Sequence, residues 1–186
     1  EYLDNGIRTV VSDYWGKMLL PIDVKIILKV QFIYQNVIFV SQDGTFYANG
    51  NSNKNQLCVE GQPKQAEFRS FGKLKNLLIS LQTSYHVHLD NSVTFCGVLN
   101  NQSAQILSSS PAAFSLPSNQ IVDLSAVQLG VTGLFIVNGE KLLYYMGTSE
   151  QYELGVFAIN APWTPLQTPA SNSNSFAMRN CGNNAL

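Results

Sequence analysis

Short runs of β-branched and aromatic residues, broken by turn formers, recur along this chain at a spacing near fifty residues. The clearest instance is Asn36–Gly61, NVIFVSQDGTFYANGNSNKNQLCVEG. Two apolar runs flank Asp43-Gly44, and Gly50 ends the second run. Asp-Gly in that setting is a strong hairpin signal, because both residues tolerate the positive φ of a tight turn. The pattern returns in YHVHLDNSVTFCG, with Asp90-Asn91 at the turn and Gly97 at the end. It returns again in GLFIVNGEKLLYYMGTSEQYELG, with Asn138-Gly139 at the turn, Gly147 at the end of the run and Gly155 closing. Gln56-Leu57 and Glu153-Leu154 both fall six and seven residues after their glycine. Another apolar run precedes each hairpin, at Ile26–Val30, Leu77–Leu81 and Ile121–Val127. A period near fifty with about four strands per unit predicts an all-β array of four-stranded antiparallel sheets, the design of a β-propeller.

This pattern divides the chain into three parts. Residues 1–23 read as a degenerate partial blade, with β-rich Ile7–Val11 and an aromatic-glycine pair at Trp15-Gly16. Residues 24–160 hold the three repeats. Residues 161–186 read as a Pro/Ser/Asn linker, with Pro162, Pro165 and Pro169, followed by a partial blade strand around Cys181-Gly182. Gly61–Gly72 and Ser108–Ser118 read as connections between units. Gly50, Gly97 and Gly147 are expected where backbones come too close for a Cβ; no phosphate-binding glycine motif is present.

The repeats resemble those of the regulator of chromosome condensation family. Asp43-Gly44, Tyr47, Gly50, Asn51, Asn53, Gln56 and Leu57 match its frame, as do Asn138-Gly139, Tyr144, Gly147, Leu154 and Gly155; Asp90, Phe95 and Gly97 match in outline. The tryptophan that precedes the glycine in such repeats is Asn49, Cys96 and Met146 here, and only Trp15-Gly16 keeps it. The resemblance implies a propeller that binds proteins, and for some members guanine-nucleotide exchange on Ran-type small GTPases. Such propellers carry about seven blades, so three or four imply a remainder of the protein, a partner on the open ends, or a small closed ring. The start at Glu1 rather than Met likewise reads as a processed or excised piece.

Composition narrows the function. Charged residues make up 12% of the 186 and the net charge is −1, so there is no basic surplus to grip nucleic acid or anionic lipid. No apolar run reaches membrane-spanning length, and no signal peptide is visible. The odd cysteine count, Cys58, Cys96 and Cys181, favours a reducing compartment and argues against a disulfide framework. An intracellular location, cytoplasmic or nuclear, is expected, with secretion left open.

Candidate chemistry is thin. His86 and His88, two apart, share one strand face opposite Tyr85, Val87 and Leu89. They would suit a metal, yet packing is the stronger reading, as no third ligand but Asp90 stands nearby in sequence. Ser108-Ser109-Ser110 has no adjacent base, Asn101-Gln102-Ser103 fits a glycosylation acceptor, and no paired carboxylates suit acid/base work. No enzyme, metal or cofactor is expected. The expected partner is a protein, either neighbours in an assembly or a small GTPase. The candidate contact surface is the set of loops after each glycine: Asn51, Asn53, Lys54 and Asn55; Asn100 and Asn101; Ser149, Glu150 and Gln151. Against this stands the reading that they only cap turns.

Overall fold

In the computed structural model, the described residues are 2–4, 7–9, 20–21, 24–33, 35–59, 67–100, 105–127, 129–149 and 158–166. Among them there are fourteen strands and no helix. The first two, β1 (Tyr2–Asp4) and β2 (Ile7–Thr9), form a two-stranded ribbon. The other twelve form three four-stranded sheets, each an antiparallel meander in chain order. The first sheet is β3 (Ile27–Ile33), β4 (Asn36–Ser41), β5 (Thr45–Gly50) and β6 (Arg69–Lys73). The second is β7 (Asn76–Ile79), β8 (Thr83–Val87), β9 (Val93–Asn100) and β10 (Gln105–Ala113). The third is β11 (Ile121–Val127), β12 (Leu129–Val137), β13 (Glu140–Ser149) and β14 (Ala158–Pro165). Three like sheets in sequence are propeller blades, as the repeats predict.

The central strands explain why their sequences run apolar with little alternation. Every residue of β5 and of β8 is buried, so these central strands are covered on both faces. Ile38, Phe46, Ala48 and Leu57 from the first unit meet Leu74, Leu77 and Ile79 of the second, forming a first seam. Tyr85, Val87, Phe95 and Phe114 meet Leu124, Val131, Phe135 and Met146, forming a second seam. Alternation along β8 therefore sends Tyr85 and Val87 into the second seam and Ser84 and His86 toward the first. The free face of β3 differs: Leu28, Val30 and Phe32 are 64%, 47% and 77% exposed.

The three marker glycines sit at equivalent points. Gly50, Gly97 and Gly147 have φ of 133°, 101° and 112°. A Cβ on them would lie 2.1 Å from the Gln35 carbonyl oxygen, 2.1 Å from that of Gln82 and 2.4 Å from that of Leu129. The clash is with backbone, so no side-chain adjustment relieves it.

Three expectations need correction. Part of each connection is a fourth strand: β6 overlaps Gly61–Gly72, β10 overlaps Ser108–Ser118, and residues 161–165 belong to β14 rather than to a linker. All three are sheet edges paired with register shifts, where one free side tolerates proline and irregular backbone. Cys58 and Cys96, expected as thiols, form a disulfide. His86, expected to be at most partly buried, is only 3% exposed. Trp15-Gly16, residues 150–157 and the segment from 167 onward, with Pro169, Cys181 and Gly182, lie outside the described residues.

Candidate functional site

The loop after Gly50 is built by its own polar side chains. The Asn51 amide donates to Gln35 Oε1 at 2.7 Å and its oxygen accepts from the Asn53 N–H at 2.9 Å. Ser52 Oγ accepts from the Leu57 N–H at 3.1 Å. Gln56 Oε1 accepts from the Lys54 N–H at 2.9 Å, while its Nε2 donates across the first seam to the Leu81 carbonyl at 3.2 Å. Asn55 and Cys58 take positive φ, 61° and 57°. Gln56 and Leu57 are fully buried. The repeat's Gln-Leu pair is thus an anchor on the next sheet, and it holds Asn53 and Lys54 out in solvent.

Of the other candidate contact residues, Asn51 and Asn55 are half-buried beside that tip. Asn100 ends β9 and Ser149 ends β13. Asn101, Glu150 and Gln151 lie outside the described residues, as does most of the Asn101-Gln102-Ser103 triplet.

Cys58, one residue beyond the anchor, reaches a cluster that the sequence reading missed. Its disulfide partner Cys96 stands in the middle of β9, just before Gly97, and is fully buried. Cys58 Sγ lies 3.7 Å from His86 Nε2. Ser84 Oγ is 2.8 Å from that nitrogen, and Thr94 Oγ1 lies 3.2 Å from Nδ1. The Thr94 hydroxyl also meets His88 Nε2 at 3.0 Å. Phe71 of β6 packs on the His86 ring, centroids 5.0 Å apart. Burial first, then the charges of His88 and Arg69, push the His86 imidazole down to about 4. It is therefore neutral near pH 7, with a lone pair to offer. Cysteines 38 apart in sequence give no local motif. The signal lay in the repeat register: the residue following the buried Gln56-Leu57 anchor meets the central strands of the next unit.

Asp43 and Asp90 shape the turns of the first two hairpins. Asp43 accepts from Ser41 Oγ, from Thr45 Oγ1 at 2.8 Å and from the Thr45 N–H at 3.1 Å. Those bonds, Ser41's foremost, hold its carboxyl down at about 2. Asp90 accepts from Ser92 Oγ at 2.7 Å and the Ser92 N–H at 2.9 Å, which lowers its pKa too. In the third hairpin the turn is Asn138-Gly139, with φ of 52° and 84°. A shallow depression beside the first turn is lined by Lys25, Ser41, Asp43 and Tyr47. The Ser41 hydroxyl and the Asp43 carboxylate there already bond each other.

Among solved structures, the chain is similar to that of Kap60 bound to yeast RCC1 (Prp20), with a TM-score of 0.63 and 20% identity over 88% of this chain and 41% of that one. It is similar to Prp20p from Saccharomyces cerevisiae, described with its binding to Gsp1p and histones, with a TM-score of 0.55 and 20% identity over 72% of this chain and 34% of that one. It is also similar to human WBSCR16, with a TM-score of 0.56 and 15% identity over 76% and 39%. No protein-family model and no curated protein matches the sequence. The fold is thus that of RCC1-type propeller blades, and the chain spans about two-fifths of the length of these structures. No helix among the described residues is long and apolar enough to cross a membrane.

Proposed function

We propose that this chain is a protein-binding propeller module with no chemistry of its own, working as an interaction or scaffold piece within a larger assembly. The observation that carries this reading is the loop after Gly50. Its stem is locked by Gln56 and Leu57, and its tip presents Asn53 and Lys54 to solvent. A tip held in one shape loses little entropy on binding, which favours recognition. Asn51 and Asn55 flank that surface, and the proposed contact set includes Asn100, Asn101, Ser149, Glu150 and Gln151, which follow Gly97 and Gly147 in the sequence as Asn51–Asn55 follow Gly50. The apolar stripe of Leu28, Val30 and Phe32 favours a neighbour against the first sheet, as exposed apolar patches mark contact surfaces.

The test compares the proteins retained by the immobilised chain and by an Asn53→Ala/Lys54→Ala variant, quantified by mass spectrometry. A defined set that the variant loses carries the reading; identical sets overturn it. A second reading, guanine-nucleotide exchange on a Ran-type small GTPase, is favoured by the repeat resemblance and by the binding of the yeast neighbour to Gsp1p. Accelerated release of labelled GDP from such a GTPase would carry it, and an unchanged rate would end it. The exchange reading places the chain in the cytoplasm or nucleus, where thiol reductants act on disulfides, whereas the scaffold reading is compatible with secretion as well.

A further inference from the structure

The two sulfurs of Cys58 and Cys96 and a ring nitrogen of His86 all lie within 4.8 Å of one another, and all three residues are buried. Blade packing alone does not ask for these residue types, since Leu57, Leu77 and Ile79 close the same seam with hydrocarbon. An imidazole nitrogen 3.7 Å from one buried sulfur, with the second sulfur in the same cluster, is a donor set. Its Nδ1 is tied to Thr94 Oγ1 at 3.2 Å, leaving Nε2 toward Cys58. That is the outer bond that orients metal-bound imidazoles.

We propose that the disulfide is one state of a two-state site, and that its reduced state binds Zn(II) through Cys58 Sγ, Cys96 Sγ and His86 Nε2. The reductant is a cellular dithiol. One of its thiolates attacks the Cys58–Cys96 bond, its second thiol resolves the mixed disulfide, and two electrons pass to the protein as the dithiol closes to its own disulfide. Cys58 and Cys96 are left as thiols. Zinc binding then displaces their two protons to solvent, with no change of oxidation state at the metal. Two thiolates, one neutral imidazole and Zn(II) sum to zero charge, which suits a buried seam, whereas Cu(I) would leave a net negative charge there. Zinc takes four ligands. The fourth position falls to the Ser84 hydroxyl, already 2.8 Å from Nε2, or to water. Both states hold the Cys58 loop against strand β9, the two Cα atoms 5.2 Å apart in the disulfide. The seam then stays closed in oxidising and in zinc-replete reducing conditions, and loosens where reductant is present without metal.

The experiment reduces the full chain anaerobically, in a Cys181→Ser background, and titrates Zn(II) against a chromophoric chelator. One equivalent is expected to bind the reduced protein and none the oxidised protein. Cys58→Ala/Cys96→Ala is expected to abolish binding, and His86→Gln to weaken it by about tenfold or more. X-ray absorption on the reduced, zinc-loaded protein is expected to show two sulfur ligands and at least one imidazole nitrogen; it needs no substitution in the cluster, so misfolding of His86→Gln does not blunt the test. Binding no tighter than that of the double alanine variant would overturn the proposal. So would a sulfur-only first shell, or a preference for Cu(I) with Zn(II) left unbound.

Discussion

The two seams join blades of the same design by different chemistry. The second seam is aromatic. Phe114 stands 5.1 Å from Tyr85 and 5.8 Å from Trp163, and Phe135 stands 5.3 Å from Trp163 and 5.9 Å from Tyr144, measured between ring centroids. Trp163 also donates its indole N–H to the Ser115 carbonyl at 2.8 Å, so β14 reaches back to the chain segment leaving the second sheet. Large rings bury much area and prefer these tilted contacts, so this seam is held chiefly by packing, with no covalent link among the described residues. The first seam is mostly aliphatic, with Phe46 the one ring among the cluster's buried residues; it too has a side-chain-to-backbone hydrogen bond, from Gln56, and it adds a covalent bond. Adhesion between blades is thus unconditional at one seam and tied to redox state at the other.

The strongest way to break this contrast is to empty the aromatic seam. Phe135 is fully buried and contacts both Tyr144 and Trp163. Phe135→Ala should cost about 3–5 kcal/mol, the usual loss for a buried aromatic. Urea denaturation should show the same loss in oxidising and in reducing buffer. A cost below about 1 kcal/mol, or one that depends on redox state, would show that the second seam is not held by packing.

The next effect belongs to the first seam. Removing the crosslink with Cys58→Ala/Cys96→Ala should cost about 2–4 kcal/mol, mainly because the unfolded chain regains freedom. Hydrogen exchange should locate the loss. Protection should fall around Leu77, Ile79 and the 51–58 loop, while strands β12 and β13 keep theirs. Uniform loss across both seams would mean that the blades open as one unit, and the contrast between seams would go.

How much of this was legible depended on strand position. Central strands and their turns were readable because they are buried on both faces and close on Asp43-Gly44, Asp90-Asn91 and Asn138-Gly139. The glycines were readable because a backbone clash leaves no substitute. Edge strands were not. The β10 strand contains Pro111, and β14 contains Pro162 and Pro165; a strand with one free edge satisfies fewer ladder bonds, so its sequence obeys weaker rules. The cysteine-histidine cluster was hidden for another reason. Its members share no local motif, and only the stacking of one unit's tail on the next unit's strands brings them together. The contact role of Asn53 and Lys54 was read from their place after Gly50, and the structure adds the locked stem beneath them.

The smallest effect sharpens the comparison at the turns. The Asp43 carboxyl sits near 2 against an ordinary 3.8, and Asp90 is lowered in the same direction by Ser92. A lowered folded-state pKa means that the unfolded chain binds protons more readily. The stability these groups supply is therefore complete above about pH 4, and for Asp43 it drains away as pH falls from there toward 2. The third turn has Asn138 in place of a carboxylate, and its geometry rests on positive φ at Asn138 and Gly139, so acid should leave it unaltered. Amide exchange followed on acidification should show the β4–β5 and β8–β9 hairpins losing protection ahead of β12–β13. Asp43→Asn should flatten the response of the first hairpin and lower its protection at pH 7, because the amide can still accept the Thr45 N–H bond but loses the charge-assisted bonds from the Ser41 and Thr45 hydroxyls. If all three hairpins lose protection together, acid acts through the seams rather than through the turns.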